Sequence, residues 1–372
     1  MKKALILGTN AGQADIIDYL NNNGWETHSC GHKRIGPGCD LAHNFHLVDT
    51  LNKNEVKKLA KNIQADIVYS VSSDTAITTA TYVSEEMELP TLLGTKIIDL
   101  FNNKNQFREF LNQNDIGHVN YTTVSGDNPS FTWEFFPCVV KPTDSQGQRG
   151  VALIEDENQL LDAVNKAIEV SNSKTAIIEE YLEGDEFSVN VIVEGGKVII
   201  NEFSDRLVFG NDTFGLPKGH QIPALTINEE QIEIVNTYIL KIVEKLNIVN
   251  GVMYLQLKLK NGIPKIIEIA PRLDGCHIWR LINHVRGFDL REYVINILTN
   301  VPNKKITVIE NDFKAGVLEF HHIESNEKFE TSKLKIHSNP VYNEFRYSDG
   351  EDIVPINGKL EVVGYYIYNL KE

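Results

Sequence analysis

The sequence predicts an α/β fold that passes into an α+β one, and three observations predict it. Over the first hundred residues, short apolar runs alternate with amphipathic stretches of helical length. From 121 to 200 short strands follow one another around a single helix, and the tail beyond Pro302 is again strand-rich. Alternation with long crossovers favours a parallel sheet covered on both faces.

Residues 3–8 read as a strand, 12–23 as a helix with Ile16, Ile17 and Leu20 on one face, 25–30 as a strand, 52–63 as a helix and 66–71 as another buried strand. This order makes residues 1 to about 95 a Rossmann-like unit. The turn from Gly8 to Gln13 opens a helix where such a fold binds phosphate. It lacks GxGxxG spacing, and two glycines there are ordinary turn chemistry. Pro90 and Gly94 close the unit, and a polar helix containing Asn102 to Arg108 follows. One helix is expected near 156–170, and 229–246 repeats apolar residues every three and four positions. Residues 252–260 and 263–269 form a hairpin around Asn261-Gly262. A helix over 289–299 leads to the tail, which ends in an apolar run from Leu360 to Ile367.

Composition narrows the function classes. A chain of 372 residues with 42% apolar content has enough material for two or three cores. Its net charge of -15 opposes a nucleic acid or an anionic lipid surface as partner. No stretch approaches the ~20 apolar residues of a membrane span, and the start, Met-Lys-Lys then Ala4 to Leu7, is no secretory leader. A cytoplasmic protein is expected. Cys30, Cys39, Cys138 and Cys276 have no paired spacing, so disulfides are not expected. Cys30, His32, Cys39, His43 and His46 cluster in sequence, but their spacing matches no standard zinc template.

Three segments carry chemistry. In FPCVVKPTDSQGQRGV (136–151), a strand ends in Lys141 and a glycine-containing loop returns to a strand. Such a loop presents one cation and several backbone N–H groups to phosphate oxygens; the bland alternative is a hairpin with a solvated lysine at its edge. In IIEEYLEGDEFSVNV (177–191), a strand pauses and resumes, offering backbone groups to a base edge and Glu186 to hydroxyls. A plain strand, Glu-Gly turn and strand would look the same. In the third, Gln256 precedes Glu268 by twelve residues in one hairpin, whose second arm runs EIAPRLDG to Gly275. Opposed hairpin positions can hold two oxygen ligands for magnesium, and Arg272 adds a fixed cation. An exposed polar end to a sheet is the alternative there.

Taken together, in this order and spacing, the segments resemble the ATP-grasp superfamily over about residues 1–300. The resemblance implies a Rossmann-like pre-ATP-grasp domain at 1–95, an ATP-grasp domain at 96–300 with a lid subdomain at about 118–182, and a C-terminal β-rich subdomain at 301–372. It implies that Lys104 and Lys141 bind the phosphates of ATP, that the loop with Ser145, Gly147 and Gly150 folds over them, that Glu179, Glu180, Tyr181 and Leu182 line the adenine pocket, and that Glu186 takes the ribose. Gln256 and Glu268 become magnesium ligands, and Arg272, with Lys141, serves the transferred phosphoryl group. Arg206 falls where relatives place another phosphate-facing cation, and a surface arginine is the equal alternative. Ala270 stands where many relatives have an asparagine metal ligand, which leaves the number of magnesium ions open.

The branch most similar is that of carboxylate-amine ligases. It implies activation of a small-molecule carboxylate as an acyl phosphate, attack by an amine, release of ADP and phosphate, and a homodimer through the N-terminal unit. His220, Asp274 and His277 lie near the right segments for a base, although each is commonly structural. Two rival readings are a non-catalytic ATP-binding protein of the same fold and, from residues 1–95, a nicotinamide-dependent oxidoreductase.

Overall fold

In the computed structural model, residues 1–126, 130–144, 150–209, 215–304, 315–355 and 360–370 are described. The chain opens with β1 (Lys3–Leu7), α1 (Ala11–Asn22), β2 (Glu26–Gly31), α2 (Gly38–Leu41), β3 (Asn44–Leu47), α3 (Lys53–Ile63), β4 (Ile67–Tyr69) and α4 (Asp74–Glu86). The four strands form a parallel sheet ordered β3-β2-β1-β4. Ala4 to Leu7 are all buried because helices cover both faces, which is why β1 reads as an unbroken apolar run. The sheet reverses direction of growth between β1 and β4, where a dinucleotide fold would open a crevice. Here Gln13 fills it: the buried amide donates to Val71 O and to Ser70 Oγ at 3.3 Å. Asn10 is occupied in capping α1, accepting from Gly12 N and Gln13 N. The Gly8-to-Gln13 turn is turn chemistry.

The polar helix expected around Asn102 is two helices, α5 (Thr95–Asn102) and α6 (Lys104–Gln113). Asn103 breaks them apart by turning extended and capping α6 through Gln106 N. Then β5 (Tyr121–Ser125), β6 (Cys138–Pro142), β7 (Ala152–Ile154), α7 (Glu157–Val170) and β8 (Thr175–Glu180) build an antiparallel sheet ordered β5-β8-β6-β7. With α7 it encloses a core of its own, including Val140, Ile154, Val164 and Ile178.

The remaining elements are β9 (Glu186–Glu194), β10 (Lys197–Val208), β11 (Pro217–Ile222), α8 (Glu229–Lys245), β12 (Gly251–Lys260), β13 (Ile263–Ala270), α9 (Ile278–Arg286), α10 (Leu290–Leu298), β14 (Gly316–Glu324), β15 (Tyr342–Phe345) and β16 (Leu360–Asn369). They make one eight-stranded antiparallel sheet, ordered β13-β12-β9-β10-β11-β14-β16-β15. The C-terminal strands thus extend the central sheet instead of forming a sheet of their own. The turn between β12 and β13 has positive φ at both Asn261 and Gly262, as a two-residue hairpin turn with the strands' twist requires. Among the described residues no helix is long and apolar enough to cross a membrane.

The parallel unit is fastened to the rest by a buried carboxylate. Asp15, on α1, accepts from His277 Nδ1 at 2.8 Å, Trp279 Nε1 at 3.0 Å and Arg280 Nη2 at 2.7 Å. His277 Nε2 in turn accepts from Arg346 Nη2 at 3.0 Å, bringing in the chain after β15. Burial alone would raise the Asp15 carboxyl, but hydrogen bonds from His277 and Arg280 and the charge of Arg280 outweigh it and hold it well below the carboxylate range. Removing one partner of such a group leaves buried charge uncompensated. Asp15→Ala is therefore expected to cost about 3–5 kcal/mol, read as a lower chemical-denaturation midpoint. Asp18→Ala, on the exposed side of the same helix, should leave the midpoint nearly unchanged.

Candidate active site

A cleft of about 440 Å³ opens between the β5–β8 sheet and the eight-stranded sheet. Its base is the β12/β13 hairpin. An unbroken ladder from the Asn261-Gly262 turn would set Glu268 opposite Leu255, on the wrong face of the sheet. The ladder instead pairs Leu257 with Ile266 and then Gln256 with Glu268, leaving Ile267 as a bulge. That one extra residue puts Glu268 and Gln256 side by side on the cleft face.

Arg108 holds the bulge. Its Nη1 donates to Ile266 O at 2.6 Å and its Nη2 to Ile267 O at 2.8 Å, while Nε reaches Glu179 Oε1 at 2.8 Å. Glu179 also pairs with Lys141, at 2.6 Å. Burial would raise the Glu179 carboxyl, but the charges of Arg108 and Lys141 override it and bring it down to about 2. Lys141, expected at a solvated loop edge, has a side chain only 13% exposed and stands inside the cleft. Lys104 stands beside it, at the first position of α6, whose N–H donates to Thr143 O. Burial, and then the like charge of Lys141, pushes the Lys104 ammonium down to about 8.

Across the central sheet, Lys258, Glu186, Arg206 and His220 occupy one row of paired positions on β12, β9, β10 and β11. Glu186, read as a ribose acceptor, is the hub of that row: it pairs with Arg206 at 2.5 Å and Lys258 at 3.5 Å and accepts from Gln256 Nε2 at 2.7 Å. Arg206 is accordingly a cleft residue and not a surface one. Glu180 accepts from Asn120 and Lys260, so the carboxylates of Glu179 and Glu180 are both engaged by protein. Tyr181 and Leu182 line the same wall. Arg272 makes a two-pronged pair with Asp74, at 2.6 and 3.0 Å, which ties the cleft to the N-terminal unit.

Glu268 differs from its neighbours. Among the described residues its exposed carboxylate has no hydrogen bond or ion pair, although its charge acts on Lys104, Arg206 and Arg272. Gln256 donates through Nε2 to Glu186, so Oε1 is the atom left for a cation. A carboxylate and an amide oxygen opposed at the rim of a cleft fit a hard divalent ion that takes its other ligands from phosphate and water.

Every residue expected to bind nucleotide, phosphoryl group or metal within the described part, except Gly150, lines this cleft, whereas His220, Asp274 and His277 do not. Gly150 ends the loop on its lid side with φ +71, and a Cβ there would come within 2.9 Å of Pro142. Ser145 and Gly147 lie outside the described residues. The sequence reading missed Arg108, Lys258 and Asp74. Arg108 follows Lys104 by four on one helix and Lys258 follows Gln256 by two on one strand, so each shares a face with a residue already singled out. Asp74 had no such signal.

The sequence model of the ATP-grasp domain matches residues 134–279. This chain carries an ATP-grasp domain. The matched segment runs from the strand bearing Lys141 through the hairpin to the start of α9. The chain is 25% identical over 297 residues to the carbamoyl phosphate synthase large chain of Methanocorpusculum labreanum, covering 73% of itself and 28% of that protein. It spans less than a third of the length of the curated relatives it matches. Its fold is that of the L-amino acid ligase from Bacillus licheniformis, with a TM-score of 0.78, 17% identity and coverage of 99% and 93%. Phosphoribosylglycinamide synthetase from Anaerococcus prevotii gives 0.75, 19%, 99% and 94%.

The Glu179 pairing has a definite pH signature. Its folded pKa lies below the ordinary 4.5, so its stabilising contribution is complete above 4.5 and is lost as pH falls toward 2. Glu179→Gln should lower the denaturation midpoint at pH 7 by the equivalent of about 3–5 kcal/mol. The gap between the variant and the parent should close between pH 4.5 and 2.

Proposed function

We propose that the chain binds ATP with magnesium in this cleft and uses it to activate a small-molecule carboxylate, which it then joins to an amine. The observation that carries this reading is Glu268, an exposed carboxylate opposite Gln256 Oε1 and ringed by Lys104, Arg206 and Arg272. The ATP-grasp match and the ligases that share the fold support it.

In this reading Gln256 and Glu268 hold the metal, which when bound supplies positive charge to the β- and γ-phosphates. Lys141, from the lid, and Lys104, from the start of α6, face the phosphates, and the loop containing Ser145, Gly147 and Gly150 covers them. The 179–182 segment lines the adenine pocket. Glu186 takes the ribose while holding Arg206 and Lys258 in place. A carboxylate oxygen of the substrate attacks the γ-phosphorus as its bond to the β-phosphate oxygen breaks, and ADP leaves. The amine then attacks the acyl carbon, the C–O bond to phosphate breaks, and the nitrogen loses a proton. Arg272, fixed by Asp74, is placed to balance charge on the transferred phosphoryl, a step that needs positioning more than a protein nucleophile. The lid's separate core lets it close as a unit and exclude water from the acyl phosphate.

An ADP-release screen over amino and hydroxy acids with amine acceptors tests the reaction, and formation of AMP and pyrophosphate would remove it. Glu268→Gln is expected to lower turnover by about 100-fold or more, with Gln256→Ala milder because water can replace a neutral amide. ATP affinity should fall as pH rises through 8, where Lys104 gives up its proton. Lys104→Arg should flatten that profile, as calorimetry at pH 7 and 9 would show.

A further inference from the structure

Beneath the cleft, β11 carries His220 and the loop between β13 and α9 carries Asp274 and Cys276 to one point. His220 and Asp274 are fully buried, and Cys276 is partly so. His220 Nε2 and Asp274 Oδ2 face each other at 3.7 Å, too far for a hydrogen bond, and neither atom has a hydrogen-bond partner. Buried polar atoms are nearly always satisfied, so two that face one another without contact mark the place of a third group. Cys276 Sγ completes the set, the three donor atoms lying within 4.8 Å of one another. Among the described residues no other His, Cys, Asp and Glu side chains converge in this way, including the Cys30, His32, Cys39, His43 and His46 set.

The surroundings suit a metal. His220 Nδ1 lies 3.4 Å from Ser204 Oγ, itself 2.8 Å from Ser188 Oγ. A proton on Nδ1 donated to Ser204 leaves the Nε2 lone pair aimed at Asp274, the tautomer a metal-binding imidazole needs. Nitrogen and oxygen donors of a tetrahedral zinc ion stand roughly 3.3–3.5 Å apart, so the pair at 3.7 Å has to close by only a few tenths of an ångström. One carboxylate and one thiolate with a divalent ion sum to zero charge, which is tolerable beside the Arg206 guanidinium, whose field reaches both His220 and Cys276. Without an ion, burial pushes the His220 imidazolium down and the Asp274 and Cys276 acids up, and His220 Nε2 and Asp274 Oδ2 stay unsatisfied.

We propose that His220 Nε2, Asp274 Oδ2 and Cys276 Sγ form a binding site for a divalent transition-metal ion, zinc by its mixed nitrogen, oxygen and sulfur donors, separate from the magnesium position at Gln256 and Glu268. The ion pins the loop that begins at Arg272 to the floor of the central sheet, and three protein ligands leave a fourth position for water. The open side of Cys276 is its entry.

The test uses the full chain, stripped with a chelator and then equilibrated with Zn²⁺ or Co²⁺ alone. About one zinc per chain should survive dialysis, and the cobalt form should show a thiolate-to-metal charge-transfer band. Cys276→Ser should abolish the band, and His220→Gln should weaken retention about tenfold or more. In the parent protein, Zn²⁺ should slow alkylation of Cys276 while leaving Cys30, Cys39 and Cys138 unchanged, a readout that stands even where a variant fails to fold. Trace zinc only, zinc unaffected by both substitutions, or unprotected Cys276 would each overturn the site and leave a water between His220 and Asp274.

Discussion

Arg108 joins three parts of the molecule that sequence keeps far apart. It starts on α6, binds Glu179 at the end of the lid strand β8, and covers two carbonyls of the central hairpin. A guanidinium only 2% exposed is costly to bury unless every donor finds a partner. Here the partners are a carboxylate and two carbonyls that the bulge at Ile267 turns out of the ladder. Cation and bulge therefore require each other. The consequence is the register of the next residue: Glu268 comes onto the cleft face because Ile267 is left over, and it is left over where Arg108 can take its carbonyl. The cleft's chemistry depends on this interaction.

The same logic governs the other charges. Lys258, Glu186 and Arg206 alternate in sign across three strands, and Arg272 is matched by Asp74. These pairs hold cations in fixed places inside a low-dielectric cleft, where mobile ones would cost more to order when an anion arrives. Lys104 and Lys141 stand side by side: Glu179 matches Lys141, while burial first and the like charge of Lys141 second depress the Lys104 ammonium. Glu268 is the opposite case, an acid facing cations at a distance without a direct partner, and a metal ion is the natural complement.

Packing decides what can move. The parallel unit and the central sheet share one continuous core, and Asp15 bolts α1 to α9 and to the C-terminal strands. The β5–β8 sheet has a separate core. That sheet meets the rest in part through Arg108 and Lys260, which reach Glu179 and Glu180 on β8, polar contacts whose partners line the cleft itself.

By itself, the sequence determined the elements whose causes are local. The apolar run of β1, the amphipathic helices and the Asn261-Gly262 turn were legible because burial on both faces, burial on one face and positive φ each demand particular residues at fixed spacing. The cleft's cations and the Gln256 and Glu268 pair were legible as residue types in order. Tertiary structure decided the rest. The bulge at Ile267 has no local signature, since its cause is a guanidinium 159 residues away. Lys141 looked solvated because Glu179, its partner, sits on another strand, and Glu186 looked free because Arg206, Lys258 and Gln256 come from β10 and β12. The tail looked like a separate piece because β-pairing with β11 is long-range and leaves no periodic trace. In each case the deciding partner is distant in sequence, and only folding brings its charge or hydrogen-bonding edge into reach.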